Sequence, residues 1–131
     1  MAKFYLIDFA LKGSEDPIKE FTKKFNRNSF FKGIVNDIKK IRKFETKFDP
    51  TKIKKLGMAC SYPGTFNSSI YTIINSKNYK DAILKTIKAG GCNCSRANFT
   101  GAYFAALKCI NSIPNNWIKK TIRAKKILNQ K

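Results

Sequence analysis

The chain has 131 residues, 43% of them hydrophobic and 11 of them Phe, which excludes disorder for want of apolar surface and allows one domain over residues 1–131. Its 27 Lys and Arg against 8 Asp and Glu give a net charge of +19, a field that attracts phosphates, acidic lipids or acidic proteins, although a general drift towards Lys and Asn gives the same count. There is no His, which removes the usual general base and the commonest zinc ligand, and no apolar run near the ~20 residues that a bilayer span needs.

Residues 4–12 are apolar almost all round and read as a buried helix closed by Gly13. Ser14, Glu15 and Asp16 before Pro17 form a helix-start signal, and Ile18, Phe21 and Phe25 recur at helical spacing. Phe30, Phe31, Ile34, Val35, Ile38, Ile41 and Phe44 give one stripe of a third helix over residues 30–44. Lys39, Lys40, Arg42 and Lys43 fall mainly outside that stripe and read as a solvated face. Asp49 and Pro50 open a short helix that Gly57 ends.

Tyr62, Pro63 and Gly64 make a turn before a helix marked by Phe66, Ile70, Ile73 and Ile74, and a further helix carries Tyr79, Ile83, Leu84 and Ile87. After a polar loop, Ala97, Gly101, Ala102, Ala105 and Ala106 place small side chains on a helix that is therefore expected to be central and closely packed. Trp117, Ile118, Ile122, Ile127 and Leu128 mark one final basic helix. No strand pattern, internal repeat or low-complexity linker is evident. The expected fold is all-α, an irregular multi-helix bundle of six to eight helices.

The loop at residues 89–99 concentrates backbone-permissive and polar groups. Gly90 or Gly91 is expected to supply a left-handed helix end, and Asn93 or Ser95 to cap the next helix. Gly90, Gly91, Asn93, Ser95 and Arg96 together form a candidate phosphate cradle, because a helix N-terminus concentrates unpaired N–H donors and partial positive charge. Cys60, Cys92, Cys94 and Cys109, without a signal peptide, point to a reducing, intracellular and cytoplasmic setting with free thiols. A Cys92–Cys94 disulfide would close a very small strained ring. Two thiolates supply half of a zinc shell, but the other cysteines are distant in sequence.

From Cys60 onward the order of features is specific: Tyr62-Pro63-Gly64-x-Phe66, a helix, Tyr79-x-x-Ala82-Ile83, Ala89-Gly90-Gly91, the polar quartet with Arg96, Gly101-Ala102, and Ile113-Pro114-x-x-Trp117. This order resembles the C-terminal part of the ADP-ribosylglycohydrolase family, most nearly the branch that includes the J-crystallins. The resemblance is dense over residues 56–128 and vague over residues 1–55. It implies a partial version of an all-helical fold that holds magnesium in a central cleft and hydrolyses an ADP-ribosyl glycosidic bond. It further implies that the family's late Gly-Gly-Asp-x-Asp-Thr metal loop falls on residues 90–95, so that Cys92 and Cys94 stand where the family has aspartates and Ser95 where it has the hydroxyl ligand.

That substitution bears directly on chemistry. Magnesium demands hard oxygen donors, whereas thiolates are soft, and residues 82–131 contain no Asp or Glu to restore the site. The family's N-terminal acidic cluster also has no counterpart here. The expectation is a truncated relative that is inactive alone, with no cofactor of its own and no assignable catalytic residue. A chain supplying the missing N-terminal half and ADP-ribose or a related nucleotide are its expected partners, with exposed apolar surface where that half docks. The alternative is a basic helical module that binds nucleic acid or an acidic partner through residues 39–43 and 119–126.

Overall fold

A computed structural model describes residues 1–44 and 47–129, the side chain of Lys125 excepted. Among these residues every regular element is helical. They are α1 (Ala2–Leu11), α2 (Pro17–Lys24), α3 (Lys32–Arg42), α4 (Pro50–Leu56), α5 (Gly64–Ile74), α6 (Tyr79–Lys88), α7 (Asn93–Lys108), α8 (Asn115–Lys120) and α9 (Ala124–Leu128), with a 3-10 turn at Ile110–Ser112. No helix among them is long and apolar enough to cross a membrane.

The helix starts follow local chemistry. Asp16 accepts from the Lys19 N–H at 2.9 Å with Pro17 in the first turn of α2, Asp49 accepts from the Thr51 N–H at 2.8 Å ahead of α4, and Asn78 accepts from the Asp81 N–H at 2.9 Å ahead of α6. Gly57 ends α4 with φ +118 and lies so close to the start of α5 that an added Cβ would sit 2.5 Å from Gly64 Cα. Only glycine permits both the conformation and the approach.

α7 is the central element, packing on α1, α5 and α6. The small residues account for part of that: Gly101 is buried, and a Cβ there would touch Tyr79 Oη at 3.4 Å and Ile83 Cδ1 at 3.5 Å on α6. The rest of the inner face is Phe99, Tyr103 and Phe104, while Ala102, Ala105 and Ala106 lie half-buried. The expected small-residue seam is thus one point of close contact in an otherwise aromatic interface. On the other side of α1, Tyr5, Phe21, Phe25 and Phe31 form a ring cluster with centroids 4.7–6.5 Å apart. Such pairs add about 0.5–1.5 kcal/mol each beyond their area.

α5 buries Ser68, Ser69 and Thr72 without a polar partner from another element. Their hydroxyls donate to the carbonyls of Gly64, Thr65 and Ser68 at 2.7–2.9 Å, one turn back along the helix. A polar face can therefore enter the core with its hydrogen bonds closed locally.

Three sequence expectations change. α1 is apolar all round but not buried all round, because Phe4 is 78% exposed and Leu11 also faces outward while Leu6 and Phe9 enter the core. The third helix is shorter than its stripe, and Phe30 and Phe44 at the stripe's ends are exposed. The final basic helix is two helices, which raises the total among the described residues to nine. Thr121 ends α8 in an extended conformation with ψ 110, and the turn that follows buries Ala124.

Candidate functional site

The loop between α6 and α7 is where residue chemistry is densest. α6 ends at Lys88, and Gly90 and Gly91 both take left-handed conformations, with φ +72 and +68. Both glycines are needed for this reversal, since a side chain in that region costs roughly 1–2 kcal/mol. Gly91 has a second constraint: a Cβ there would lie 2.8 Å from Met58 Cβ and 2.9 Å from Met58 O.

α7 begins at Asn93, earlier than a start at Ser95, and its N-cap is Cys92. No side chain caps it, so neither Asn93 nor Ser95 plays that role. Both lie inside the first turn, past the N-cap position, and their side chains are engaged elsewhere. Asn93 Oδ1 accepts from Arg96 Nη2 at 2.9 Å, and the Ser95 hydroxyl lies 3.1 Å from Cys92 Sγ, to which it donates. The loop is held from outside instead. The Cys92 N–H donates to Met58 O at 2.9 Å, and Cys92 is disulfide-bonded to Cys60 across a Cα–Cα distance of 5.6 Å.

That pairing corrects the expectation of four free thiols. Cys94 and Cys109 are free and exposed, whereas Cys60 and Cys92 are joined. Spacing could not have selected this bond, because four cysteines allow three full connectivities and several partial ones. The turn after α4 brings Cys60 alongside the glycine loop. Met58 and Cys60 are the contributors to the site that sequence reasoning missed, and no residue pattern around them announces the role.

Arg96 is placed unlike a surface phosphate ligand. It is 0% exposed, and Nη2 donates to Gly90 O, to Thr86 O at 3.4 Å and to Asn93 Oδ1. Nε and Nη1 are buried with no hydrogen-bond partner, and burial pushes the guanidinium below its ordinary pKa. Arg96 thus ties the end of α6 to the start of α7 from beneath. Contact with a ligand above the loop would require it to turn outward. The first turn of α7 has no side-chain cap; its Asn93 N–H closes on Gly91 O at 2.8 Å, and no side chain accepts from the N–H groups that follow.

These residues do not fit magnesium. The Cys92 sulfur is consumed in a disulfide, Asn93 Oδ1 and the Ser95 hydroxyl already have partners, and no carboxylate lies in the sequence after Asp81. No group of three or more His, Cys, Asp or Glu side chains is arranged to hold a metal ion among the described residues.

A second polar cleft, of about 310 Å³, is lined by Glu15, Asp16, Arg42, Lys77, Tyr103 and Lys108 among others. Its charged centre is internally paired, since Arg42 Nη2 donates to both Asp16 oxygens at 2.8 and 2.7 Å. Burial pushes the Tyr103 phenol well above its ordinary pKa, which keeps it a neutral hydroxyl. Arg42 is itself exposed, so it stays on the solvated basic face with Lys39, Lys40 and Lys43 while pairing with Asp16.

The ADP-ribosylglycohydrolase family profile matches residues 3–130. The chain belongs to the ADP-ribosylglycohydrolase family. It is similar to Crystallin J1A of Tripedalia cystophora, 37% identical over 76 residues, and to Crystallin J1B of the same organism, 32% identical over 76 residues. Each match covers 58% of this chain and 24% of the relative, so the matched segment spans about a quarter of the length of these curated relatives. No solved structure matches. The J-crystallin-like, partial character of the chain and its all-helical fold agree with the order of motifs from Cys60 onward.

Proposed function

We propose that this chain is an ADP-ribosylglycohydrolase-like protein, corresponding to the C-terminal part of the family fold, that does not hydrolyse an ADP-ribosyl bond by itself. The observation that carries the reading is Cys92. It is bound to Cys60 and belongs to no group of three or more His, Cys, Asp or Glu side chains that could hold a metal among the described residues, and the resemblance sets it at the position of a family metal-ligand aspartate. A site for a hard divalent ion needs several oxygen donors held at once, and this loop has committed its own to internal contacts.

What the loop keeps is a helix N-terminus without a side-chain cap, reached over two backbone-permissive glycines. The amides of that first turn are the contacts we assign to a phosphate of ADP-ribose or a related nucleotide. Further polypeptide of the family fold is proposed to cover the apolar face of α1. Two hollows of about 250 and 360 Å³ share Met1, Ala2, Ile34 and Tyr62 there, and Phe4 and Phe30 flank them. Support for such an occupant is the 24% coverage of the relatives.

The test is an assay of the purified chain on an ADP-ribosylated substrate, run with and without magnesium, alongside isothermal titration with ADP-ribose. The expected outcome is weak binding and no release of ADP-ribose. Magnesium-dependent cleavage by the chain alone overturns the proposal of inactivity. Absence of heat at millimolar ADP-ribose overturns the retained phosphate contact.

A further inference from the structure

The basic strip at residues 119–126 differs from a merely solvated lysine face in one respect. Ile122 stands in its midst at 100% exposure, between Lys119 and Lys120 on one side and Arg123 and Lys126 on the other, all of them exposed. Further apolar surface is exposed on the elements that flank it in sequence. Ile110, Ile127 and Leu128 are exposed, and an apolar hollow of about 280 Å³ opens between Tyr79, Ile113, Trp117, Ile118, Ala124 and Leu128. Trp117 sits at this hollow with its ring edge-on to Tyr79, centroids 6.2 Å apart. Residues 82–131 hold no Asp or Glu, and among the described residues none of Lys119, Lys120, Arg123 and Lys126 forms a salt bridge.

We propose that α8, α9 and the link between them form a peripheral docking surface for an anionic lipid bilayer, with Ile122, Ile127 and Leu128 entering the acyl boundary and Lys119, Lys120, Arg123 and Lys126 meeting the headgroups. Charge complementarity selects the occupant: a strip of cations without acids is attracted to anionic lipid and not to a neutral surface. The exposed isoleucine then separates a bilayer from a nucleic acid. A polyphosphate backbone has no use for an aliphatic side chain projecting from the contact face, whereas a bilayer gains from burying it. α8 and α9 have six and five residues, so each is too short to cross a membrane, and the geometry is that of a surface contact. The proposal is independent of the α6–α7 loop and of any ADP-ribose chemistry.

The experiment is co-sedimentation of the whole chain with vesicles of phosphatidylcholine alone and of phosphatidylcholine with phosphatidylserine, at low and high salt. Binding is expected to the mixed vesicles only and to weaken as salt rises. Ile122→Ser is expected to lower the partition coefficient about tenfold. Lys119→Gln and Lys120→Gln are each expected to lower it about fivefold. These side chains are exposed, so circular dichroism should confirm unchanged folding. Phe4→Ser, which alters the exposed face of α1, serves as the control and should leave partitioning unchanged. No sedimentation with the mixed vesicles overturns the proposal. So does loss of binding with the lysine variants but not with Ile122→Ser, the result expected for a polyanion such as duplex DNA. Equal sensitivity to Phe4→Ser overturns it as well, by moving the contact to another face.

Discussion

The starts of α6 and α7 meet the same physical problem in opposite ways. Each helix opens with backbone N–H groups that have no intrahelical acceptor. At α6 the solution is local: Asn78 accepts from the Asp81 N–H at 2.9 Å, and Asp81 accepts from the Lys77 N–H at 3.0 Å, a reciprocal arrangement within five residues. At α7 no side chain takes the donors, and the entry of the chain is fixed by two distant groups, the Cys60 disulfide and the Met58 carbonyl, and from within the helix by the buried Arg96. A helix end tied down from far away can leave its donors facing outward without fraying. An end capped by its own neighbours has already used them. That is the physical reason to seek a ligand contact at α7 rather than at α6.

The sharpest way to break this comparison is to cut the longest tie. Cys60→Ser opens a loop closed over a sequence separation of 32 residues. Chain-entropy arguments assign such a closure about 3–4 kcal/mol of stability. Urea unfolding should therefore shift strongly for Cys60→Ser, and reductant should shift the parent protein but not the variant. A parent protein indifferent to reductant, with four titratable thiols, removes the disulfide from the account and leaves Met58 and Arg96 as the ties.

Next in size is Gly91→Ala, expected to cost about 2–3 kcal/mol, because left-handed strain adds to a clash with Met58. Gly13 is the matched control. It also has a positive φ, +85, but a Cβ there meets nothing within 4 Å. Gly13→Ala should therefore show the strain alone, about 1 kcal/mol. Equal effects at the two glycines would mean that the α7 loop is not seated on Met58.

The same contrast explains what was legible in the sequence. Asp16 and Asp49 announce α2 and α4 because a cap acts within three residues, and Gly57 announces the end of α4 for the same reason. The all-helical class follows from stripes such as Val35, Ile38 and Ile41, whose spacing needs no knowledge of partners. The loop's glycines were legible too, since their composition marks a left-handed turn whatever surrounds it. Arg96 was not, because a sequence carries no sign of whether a cation beside a loop turns outward or inward. Cys60 was not, because its partner depends on how the turn after α4 packs. The split at Thr121 was missed for a related reason: Ile118 and Ile122 keep helical spacing, and the break shows only in the extended backbone of Thr121.

Smaller effects sharpen the α6 side. Asn78→Ala removes a single cap and should cost about 1 kcal/mol in thermal or urea unfolding, well below the loss of the disulfide. The smallest expected effect is also the most specific, because it separates charge from shape. Burial acts to raise the Asp81 pKa, but the Lys85 ammonium at 2.7 Å and the Lys77 N–H outweigh it and hold the carboxyl below its ordinary value. A carboxyl whose pKa is lowered by folding contributes stability that is fully present above its unfolded value, about 3.9, and is lost as pH falls through the lower folded one. Asp81→Asn should therefore destabilise by about half a kcal/mol at neutral pH, and the gap to the parent should close in acid below about pH 4. A gap that persists in acid means that Asp81 acts by shape and hydrogen bonding alone. The first turn of α7 carries no acidic side chain, so the ties at that end should respond to reductant and not to acid over the same range. Crossing the two perturbations, acid against reductant in the parent and in Asp81→Asn, assigns each helix start to its own kind of restraint.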